Sequence, residues 1–321
     1  MIDIGTRTIP RIGLGCWPIG GPFHREGTPL GYGKVDDAES IRAIHAGHDA
    51  GLRLFDTADV YGAGHSEEVL ARALKGRDAV ISTKFGNLFD PATKELTGTS
   101  ADPAYVRRAV EASLRRLGRE RVDIVFLHTN ELPVAEARPL FDALKSLRAE
   151  GKIGGYGWST DAVDSARAGA EQTGFTAVQY KMNLVRPAPE MTDFIDERGL
   201  LGFIRSPLAM GILTGRFDRP RELRNDIRGS NMVWMDQFID GRPTEEVAAR
   251  FNAVRELMRT GGRTLAQGAL GWLLAMSPRT VPIPGFRTVA QVEDLAGAVG
   301  HGPLPEPVMA EIAEILAGEF V

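Results

Sequence analysis

The segment AVISTKFGNLFDPATKELTGTSADPAYVRRAVEASLRRLGRERVDIVFLH, residues 79–128, contains one complete strand–helix–strand unit. Its runs 79–82 and 122–127 are almost continuously apolar, as strands are when helices cover both faces of a parallel sheet. Between them, Asp102 followed by Pro103 is a strong helix start, because proline suits the first helical position. Apolar residues at helical spacing follow this start. The segment therefore predicts two parallel strands joined by a helix.

The same alternation recurs along the whole chain. Comparable apolar runs lie at 13–17, 52–55, 153–158, 177–180, 200–204 and 281–283. Eight strand candidates separated by helical patterns predict an α/β fold, a closed (β/α)8 barrel of the TIM type. Such a barrel needs about 250 residues, so a chain of 321 residues leaves room for long loops at the C-terminal face. We interpret residues 1–321 as a single domain.

Several segments add detail to this barrel. Segments 2–4 and 8–11 are expected to pair as an N-terminal hairpin over the barrel floor. A helix is expected over 37–50, and Ser66 is expected to cap the next one. Residues 216–243 show no clean period, and we interpret them as a long loop after the seventh strand. Loops of that length are often functional.

Composition excludes several classes of function. Lys plus Arg number 38 and Asp plus Glu number 42, a net charge of −4 that argues against nucleic-acid binding. The single cysteine, Cys16, excludes an intrachain disulfide and a cysteine-rich metal site. His45 and His48 share a helix face without obvious further ligands, so we predict no metal site. With no signal peptide and no membrane-length apolar run, we expect a cytoplasmic protein without membrane contact.

Four side chains capable of acid–base chemistry lie where a barrel would gather them. Asp56, Lys84 and His128 each follow one of the apolar runs, and Tyr61 lies in the loop after Asp56. Because the carboxyl ends of barrel strands meet at one face, where active sites lie, we expect these side chains to be neighbours.

The chemistry of this set follows from its residue types. A phenol has a pKa of about 10, and an ammonium nearby lowers it. We expect Lys84 to lower the pKa of Tyr61 by about 3 units, or roughly 4 kcal/mol, so that Tyr61 becomes an efficient proton donor. Asp56 would hold Lys84 and offset its burial, and His128 would donate a hydrogen bond to a substrate oxygen. The set suits protonation of a carbonyl oxygen, and since it holds no reductant, a hydride donor must be bound.

Seven motifs make the chain resemble the aldo-keto reductase superfamily. They are FDTADVYG at 55–62, STKFG at 82–86, LH at 127–128, GWS at 157–159, VQY at 178–180, SPLAMGILTG at 206–215 and IPGFRT at 283–288. The resemblance covers nearly the whole chain, and it implies a (β/α)8 barrel that uses NADPH to reduce aldehydes or ketones. It also implies that Tyr61 is the acid, that Lys84 and Asp56 tune it, and that His128 orients the carbonyl.

Cofactor positions carry over from the same resemblance. It assigns Ser159 and Gln179 to the nicotinamide carboxamide, Ser206, Leu208 and Gly211 to the pyrophosphate, and Gly285, Arg287, Thr288, Gln291 and Asp294 to the adenosine end. A guanidinium can pair with a 2′-phosphate through two hydrogen bonds, so Arg287 favours NADP(H) over NAD(H).

The chain departs from its relatives at three cofactor positions. Thr160 stands where many relatives have asparagine, which weakens a contact to the carboxamide. Arg205 replaces an aromatic residue that stacks on nicotinamide, and its guanidinium could stack instead or reach a phosphate. Leu295 replaces an asparagine near adenine.

The substrate is expected to be a small carbonyl compound, in a pocket formed mainly by loops. Trp17 is expected to form the pocket floor, and the candidate walls are Phe23, His24, Met232, Val233 and Trp234. Residues 232–234 could equally be a packing cluster. The sequence leaves the natural substrate, the direction of the reaction and the number of subunits open.

Two other functions are alternatives to a reductase. One is an NADPH-sensing regulatory barrel with slow turnover, like the β-subunits of potassium channels. The other is a barrel hydrolase with paired carboxylates, for which no two acids lie at neighbouring strand ends.

Overall fold

A computed structural model describes residues 1–219, 223 and 225–318 of the chain. Within these residues the strands are β1 (Ile2–Ile4), β2 (Arg7–Ile9), β3 (Leu14–Gly15), β4 (His24–Arg25), β5 (Thr28–Pro29), β6 (Leu54–Asp56), β7 (Val80–Phe85), β8 (Asn87–Asp90), β9 (Glu95–Thr99), β10 (Val122–Leu127), β11 (Ile153–Ser159), β12 (Phe175–Lys181), β13 (Leu201–Arg205), β14 (Phe238–Ile239), β15 (Arg242–Pro243) and β16 (Thr280–Pro282).

Helices follow the strands of the central sheet in turn. In the described part of the chain they are α1 (Asp37–Asp49), α2 (His65–Ala73), α3 (Pro103–Leu117), α4 (Val134–Ala149), α5 (Val163–Ala170), α6 (Pro189–Arg198), α7 (Glu245–Val254), α8 (Leu265–Met276), α9 (Val289–His301) and α10 (Glu306–Leu316), with 3₁₀ helices at Trp17–Ile19, Ala209–Thr214, Ile227–Gly229 and Leu257–Arg259. None of these helices combines the length and the apolar character that crossing a membrane requires.

The central sheet is a parallel barrel of the TIM type. Its strand order is β3-β6-β7-β10-β11-β12-β13-β16, so strands adjacent in this series along the chain are also adjacent in space. The barrel closes where β3 meets the chain around β16. There the amides of Gly13 and Gly15 donate to the carbonyls of Pro282 and Pro284, both at 2.9 Å. The predicted α/β barrel is thus confirmed, and the carboxyl ends of its strands meet at one face.

Apolar side chains fill the barrel interior, as the near-continuous apolar runs require. Phe126 and Phe203 meet edge to face there, with ring centroids 5.2 Å apart. Ile4 and Ile9 of the antiparallel pair β1–β2 pack against this interior cluster. The expected N-terminal hairpin is therefore present, and it closes the floor at the end away from the strand carboxyl ends.

The first barrel strand is shorter than predicted. The apolar run 13–17 contributes only β3, and its last residue, Trp17, begins a 3₁₀ helix instead. Pro18 explains this end, because proline lacks the amide hydrogen that a further ladder bond would need. As a result, Trp17 leaves the sheet at the carboxyl face.

Ser66 does not cap α2, contrary to the sequence prediction. The N-cap is Gly64, two residues earlier, with a φ of +97°, and the helix begins at His65. The hydroxyl of Ser66 is buried, donates to the Cys16 carbonyl at 3.0 Å and accepts from the Thr57 hydroxyl at 2.8 Å. The Ser66 hydroxyl is therefore occupied by tertiary hydrogen bonds and is not available to cap the helix.

Loops at the carboxyl face contain more regular structure than their sequence predicts. Strands β4, β5, β8 and β9 form a small four-stranded sheet beside the barrel. The predicted long loop 216–243 contains a 3₁₀ turn and the β14–β15 hairpin. Residues 220–222 and 224 of this loop and the end of the chain, 319–321, lie outside the described residues.

Candidate active site

Three neighbouring barrel strands deliver the predicted acid–base residues to the carboxyl face. Asp56 ends β6, Lys84 lies near the end of β7, and His128 directly follows β10. The Lys84 ammonium donates to Asp56 Oδ2 at 2.6 Å and lies 4.9 Å from the centroid of the Tyr61 ring. The rings of Tyr61 and His128 meet edge to face, with centroids 5.8 Å apart. The structure therefore brings all four predicted residues together.

A tight turn after β6 places Tyr61 in this group. The amide of Tyr61 donates to the Ala58 carbonyl at 3.2 Å, and Gly62 follows with a φ of +63°. A Cβ atom on Gly62 would lie 1.7 Å from the carbonyl oxygen of Gly20. Only glycine allows both this backbone conformation and this approach, which is the physical reason for the Tyr61-Gly62 pair.

Lys84 and Asp56 form a buried ion pair beneath Tyr61. Their side chains are 0% and 4% exposed. Burial lowers the pKa of Lys84, but the Asp56 carboxylate opposes it, so that the net pKa is raised and the amine stays charged. Asp56 also accepts hydrogen bonds from Ser82 Oγ at 2.7 Å and Gln179 Nε2 at 3.0 Å. These partners supply the hydrogen bonds that a buried carboxylate requires.

The pKa of Tyr61 is raised, and the predicted lowering is wrong for this structure. Burial raises it most, Lys84 lowers it as predicted, and Asp56 raises it again. An ammonium alone would lower the pKa of a neighbouring phenol, but at this depth the desolvation of the phenolate dominates. Tyr61 is therefore a neutral phenol at pH 7, and this is the protonation state that a proton donor needs.

His128 is a neutral imidazole. Burial lowers its pKa well below the usual value of 6.5, and the positive charges of Lys84 and Arg205 lower it further. Its buried Nδ1 atom has no hydrogen-bond partner among the described residues. A neutral ring has one N–H to donate, which suits contact with a carbonyl oxygen better than proton transfer.

A cluster of aromatic rings lies beside the Tyr61 ring. The Trp17 ring lies 5.8 Å from that of Tyr61 at an interplanar angle of 17°, and it meets Tyr32 edge to face at 5.1 Å. Trp234 approaches Trp17 to 6.3 Å from loop 216–243. Trp17 Nε1 donates to the Leu30 carbonyl at 3.0 Å, so the indole presents only apolar surface.

A cavity of about 1250 Å³ opens above this group. It is larger than the roughly 300–1,000 Å³ of most small-molecule sites. Asp56, Tyr61 and His128 line it together with the predicted residues Ser159, Gln179, Arg205, Ser206, Leu208, Gly211, Gly285, Arg287, Gln291, Asp294, Trp17, Phe23 and Trp234. Met232, Val233 and Leu295 line it as well. Thr288 lines a smaller neighbouring cavity of about 480 Å³, beside Arg287 and Gln291.

Of the predicted cofactor and substrate residues, Thr160 and His24 line neither cavity. The hydroxyl of Thr160 is buried and donates to the Asn130 carbonyl at 3.0 Å. The imidazole of His24 lies 2.9 Å from the Glu95 carboxylate, within the small sheet of β4 and β9. Both side chains shape loops behind the cavity wall.

The loop after β13 has an unusual backbone. Ser206, Ala209 and Met210 have φ values of 54°, 46° and 54°, and Gly211 follows at 103°. Left-handed conformations of residues other than glycine cost free energy and cluster at ligand sites. Successive amides in such turns can form a concavity that binds anions.

Internal hydrogen bonds shape the predicted adenosine end. The Arg287 guanidinium donates to the carbonyls of Tyr32, at 2.8 Å, and Lys34, and its backbone amide donates to Gln291 Oε1 at 2.7 Å. The Asp294 carboxylate accepts from Thr264 Oγ1 at 2.8 Å. A phosphate on Arg287 would therefore compete with, or add to, its contacts with the 32–34 loop.

Sequence reasoning missed a buried ion pair in the cavity wall. Arg228 donates to Asp226 and to the Met210 carbonyl, and its guanidinium lies 5.0 Å from the Tyr32 ring centroid. The aperiodic segment 216–243 carried no signal for it. Asp161, also on the wall, could have been found, since it follows β11 as Asp56 ends β6. Among the described residues, no three His, Cys, Asp or Glu side chains cluster as metal ligands would.

Comparisons with known proteins agree with this geometry. A family model described as "Aldo/keto reductase family" matches residues 11–317. Aldo-keto reductase yakc [NADP(+)] of Schizosaccharomyces pombe is 28% identical over 323 residues, covering 97% of this chain and 89% of that protein. The NADH-specific methylglyoxal reductase of Escherichia coli is 29% identical over 345 residues, covering 98% of each. The structure of the glycerol dehydrogenase AKR11B4 from Gluconobacter oxydans superposes with a TM-score of 0.82 at 28% identity, covering 99% of this chain and 94% of that one.

Proposed function

Because the chain belongs to the aldo/keto reductase family, we propose that it reduces an aldehyde or ketone to an alcohol, with hydride from nicotinamide and a proton from Tyr61. The observation that carries this proposal is the Tyr61 ring, 4.9 Å from the Lys84 ammonium and 5.8 Å from the His128 ring, at the base of the large cavity. The match over residues 11–317 supports our interpretation of the chain as one barrel domain.

Tyr61 acts as the general acid in this mechanism. As the carbonyl group is reduced, its oxygen gains negative charge and would take the phenol proton. The Lys84 ammonium stabilises the phenolate as it forms, so its largest effect comes in the transition state, where catalysis gains most. Asp56 keeps the ammonium in place through its 2.6 Å ion pair.

His128 orients the substrate in the proposed reaction. A neutral imidazole donates one hydrogen bond to the carbonyl oxygen and leaves proton transfer to Tyr61. Its ring lies edge-on to that of Tyr61, with centroids 5.8 Å apart, and we expect one substrate oxygen to accept from both donors. Trp17, Phe23 and Trp234 would surround the rest of the substrate, with His24 behind them.

The cavity fits a nicotinamide cofactor, which when bound supplies the hydride. Its volume of about 1250 Å³ exceeds that of a typical small-ligand site, and its wall carries the left-handed backbone of 206–211. Ser159 and Gln179 would hold the carboxamide, with Thr160 behind them and Arg205 beside them. Ser206, Leu208 and Gly211 would hold the pyrophosphate, and Gly285, Arg287, Thr288, Gln291 and Asp294 the adenosine end.

We favour NADP(H) over NAD(H) because Arg287 lies at the adenosine end. The relatives differ here, since the S. pombe protein is named for NADP(+) and the E. coli protein is named NADH-specific. The relatives' names therefore do not distinguish NADP(H) from NAD(H), and our preference rests on residues of this chain. Arg287 supplies a fixed positive charge between the two cavities, where a 2′-phosphate would meet it.

Replacing Arg287 by alanine is expected to weaken NADPH binding about 10- to 100-fold, the range for losing a charge-assisted hydrogen bond of roughly 1.5–3 kcal/mol. NADH binding should change less than about threefold. Quenching of tryptophan fluorescence during titration with each cofactor measures both affinities. Arg108→Ala, on the outer helix α3, is the control that removes the same charge far from the cavity. Equal affinity for both cofactors, unchanged in Arg287→Ala, would contradict the preference for NADPH.

Loss of absorbance at 340 nm with a panel of aldehydes, ketones and keto-sugars tests the activity itself. We expect turnover with several members of the panel and NADPH, because the cavity combines apolar rings with the polar donors of Tyr61 and His128. The regulatory alternative has no support in the comparisons, since the relatives described above are named as reductases or a dehydrogenase. Tight NADPH binding without reduction of any carbonyl would argue against the proposed function.

A further inference from the structure

Asp161 forms hydrogen bonds with several loops at the carboxyl face. Its Oδ1 accepts from the backbone amide of Lys181 at 2.7 Å, and its Oδ2 accepts from Asn130 Nδ2 at 3.2 Å and from Arg205 Nη2. Its own backbone amide donates to Asn130 Oδ1 at 2.8 Å. One carboxylate therefore joins the chain at the ends of β10, β11, β12 and β13, four consecutive barrel strands.

These strand ends also carry proposed cofactor residues. Ser159 ends β11, and Gln179 lies two positions before the end of β12, on either side of the Asp161 bonds. A carboxylate that ties these strands together fixes the relative positions of the groups they present to the cavity. Asp161 itself lines that cavity.

Arg205, the last residue of β13, is the charged partner in this network. Its side chain is 27% exposed and lines the cavity, and within the described residues its one hydrogen-bonding partner is Asp161. The positive charge of Arg205 lowers the pKa of both Tyr61 and His128. The guanidinium therefore acts electrostatically on both Tyr61 and His128, the two residues that we propose contact the substrate carbonyl oxygen.

We propose that Asp161 is a positioning residue for the proposed reduction, which holds the Arg205 guanidinium against the cavity wall and balances its charge beside Tyr61 and His128. This inference rests on the proposed function only for its kinetic consequences. The four-strand network and the ion pair stand on the geometry alone.

Other titratable groups also face Tyr61 and His128, and the Asp161 and Arg205 variants leave them unchanged. Lys84 and Asp56 face Tyr61 from β7 and β6, and Tyr32 faces it from the N-terminal loop. Lys84 also faces His128, whose ring contacts that of Tyr61.

The two halves of the ion pair should have opposite effects. Asp161→Asn removes the compensating negative charge, so the guanidinium acts more strongly and lowers the pKa of Tyr61 and His128. Arg205→Met removes the positive charge and raises both. A purely structural role would disturb the loops without producing this reversal of sign.

NMR titration of the ligand-free protein with ¹³C-labelled histidine and tyrosine measures these shifts without turnover. The chain has 6 histidines and 5 tyrosines, and His128→Asn and Tyr61→Phe identify the two signals. We expect Arg205→Met to raise the pKa of His128 by about half a unit or more, and Asp161→Asn to lower that of Tyr61 by a similar amount. Glu131→Gln, which removes a carboxylate from the same cavity wall, should shift neither.

The alkaline limb of kcat/KM provides a second measurement with any carbonyl that the panel identifies. It should move to lower pH in Asp161→Asn and to higher pH in Arg205→Met, and stay in place in Arg205→Lys, which keeps the charge. If Asp161→Asn does not fold, the comparison of Arg205→Met with Arg205→Lys tests the charge. Shifts of one sign in both variants, or none, would overturn the inference. A panel without any turnover would instead reject the proposed function. The NMR shifts would still test the role of Asp161 and Arg205, because they need no turnover.

Discussion

Replacing Tyr61 by phenylalanine is expected to lower kcat/KM for carbonyl reduction by about 10³-fold or more, the upper part of the range for loss of a general acid. The variant keeps the ring that lies beside Trp17 and His128, so the fold and the cavity should persist. Its affinity for NADPH should stay within about twofold of the original protein. Steady-state rates at 340 nm and fluorescence titration separate the two effects.

A matched control for this variant is Tyr156→Phe. Tyr156 donates to the Thr173 carbonyl at 2.8 Å and packs against helix α4, away from the cavity. Removing its hydroxyl should leave kcat/KM nearly unchanged. Full activity in Tyr61→Phe would reject Tyr61 as the proton donor, whatever the control shows.

The pH dependence of the unmodified protein follows from the same site. Since the pKa of Tyr61 lies above its ordinary value of 10.0, the donor is protonated throughout the neutral range. The reduction rate should therefore fall only as strongly alkaline pH removes this proton. His128, with its pKa well below 6.5, should add no limb near neutrality. A rate that halves between about pH 7 and 8 would contradict these assignments.

Lys84→Met should have the second large effect, on both stability and activity. The Asp56 side chain is only 4% exposed, and the substitution leaves its carboxylate without a positively charged partner. Removing one partner of a buried ion pair typically costs about 3–5 kcal/mol. The phenolate of Tyr61 would also lose its stabilising charge, and we expect kcat to fall about 10²- to 10⁴-fold. Urea unfolding measures the first effect, and single-turnover rates measure the second.

The double variant Asp56→Asn, Lys84→Met distinguishes the two effects. With both charges gone, no unpaired ion is buried, and a large part of the lost free energy of unfolding should return. The activity should not return, because the ammonium is still missing. If the double variant is less stable than Lys84→Met, or if it recovers activity, this account of the pair is wrong.

Much of the barrel was predictable because its strands are short, apolar and covered by helices. Runs such as 122–127 and 153–158 coincide with β10 and β11 to within a residue. Asp56, Lys84 and His128 were predictable for the same reason, since a polar residue at the end of an apolar parallel strand must face the carboxyl end of the barrel. Strand β3, by contrast, is shorter than its apolar run, because Pro18 cannot continue the hydrogen bonds between strands.

The direction of the Tyr61 pKa shift could not be predicted from residue types. Lys84 acts as the sequence suggested, but the depth of the phenol in the protein sets the larger effect, and depth is a property of packing. Thr160 and His24 show the same limit. Their positions in the chain suggested the cavity, while the Asn130 carbonyl and the Glu95 carboxylate hold them elsewhere.

The amino-acid sequence by itself determined the alternation of strands and helices, and with it the gathering of Asp56, Tyr61, Lys84 and His128, because periodicity and strand polarity are local properties of a chain. Only the tertiary structure decided that Asp161 bonds to Arg205 across β12 and that burial outweighs the charge of Lys84 at Tyr61. Both depend on distances between residues that are far apart in sequence, and on how much water the packed side chains exclude.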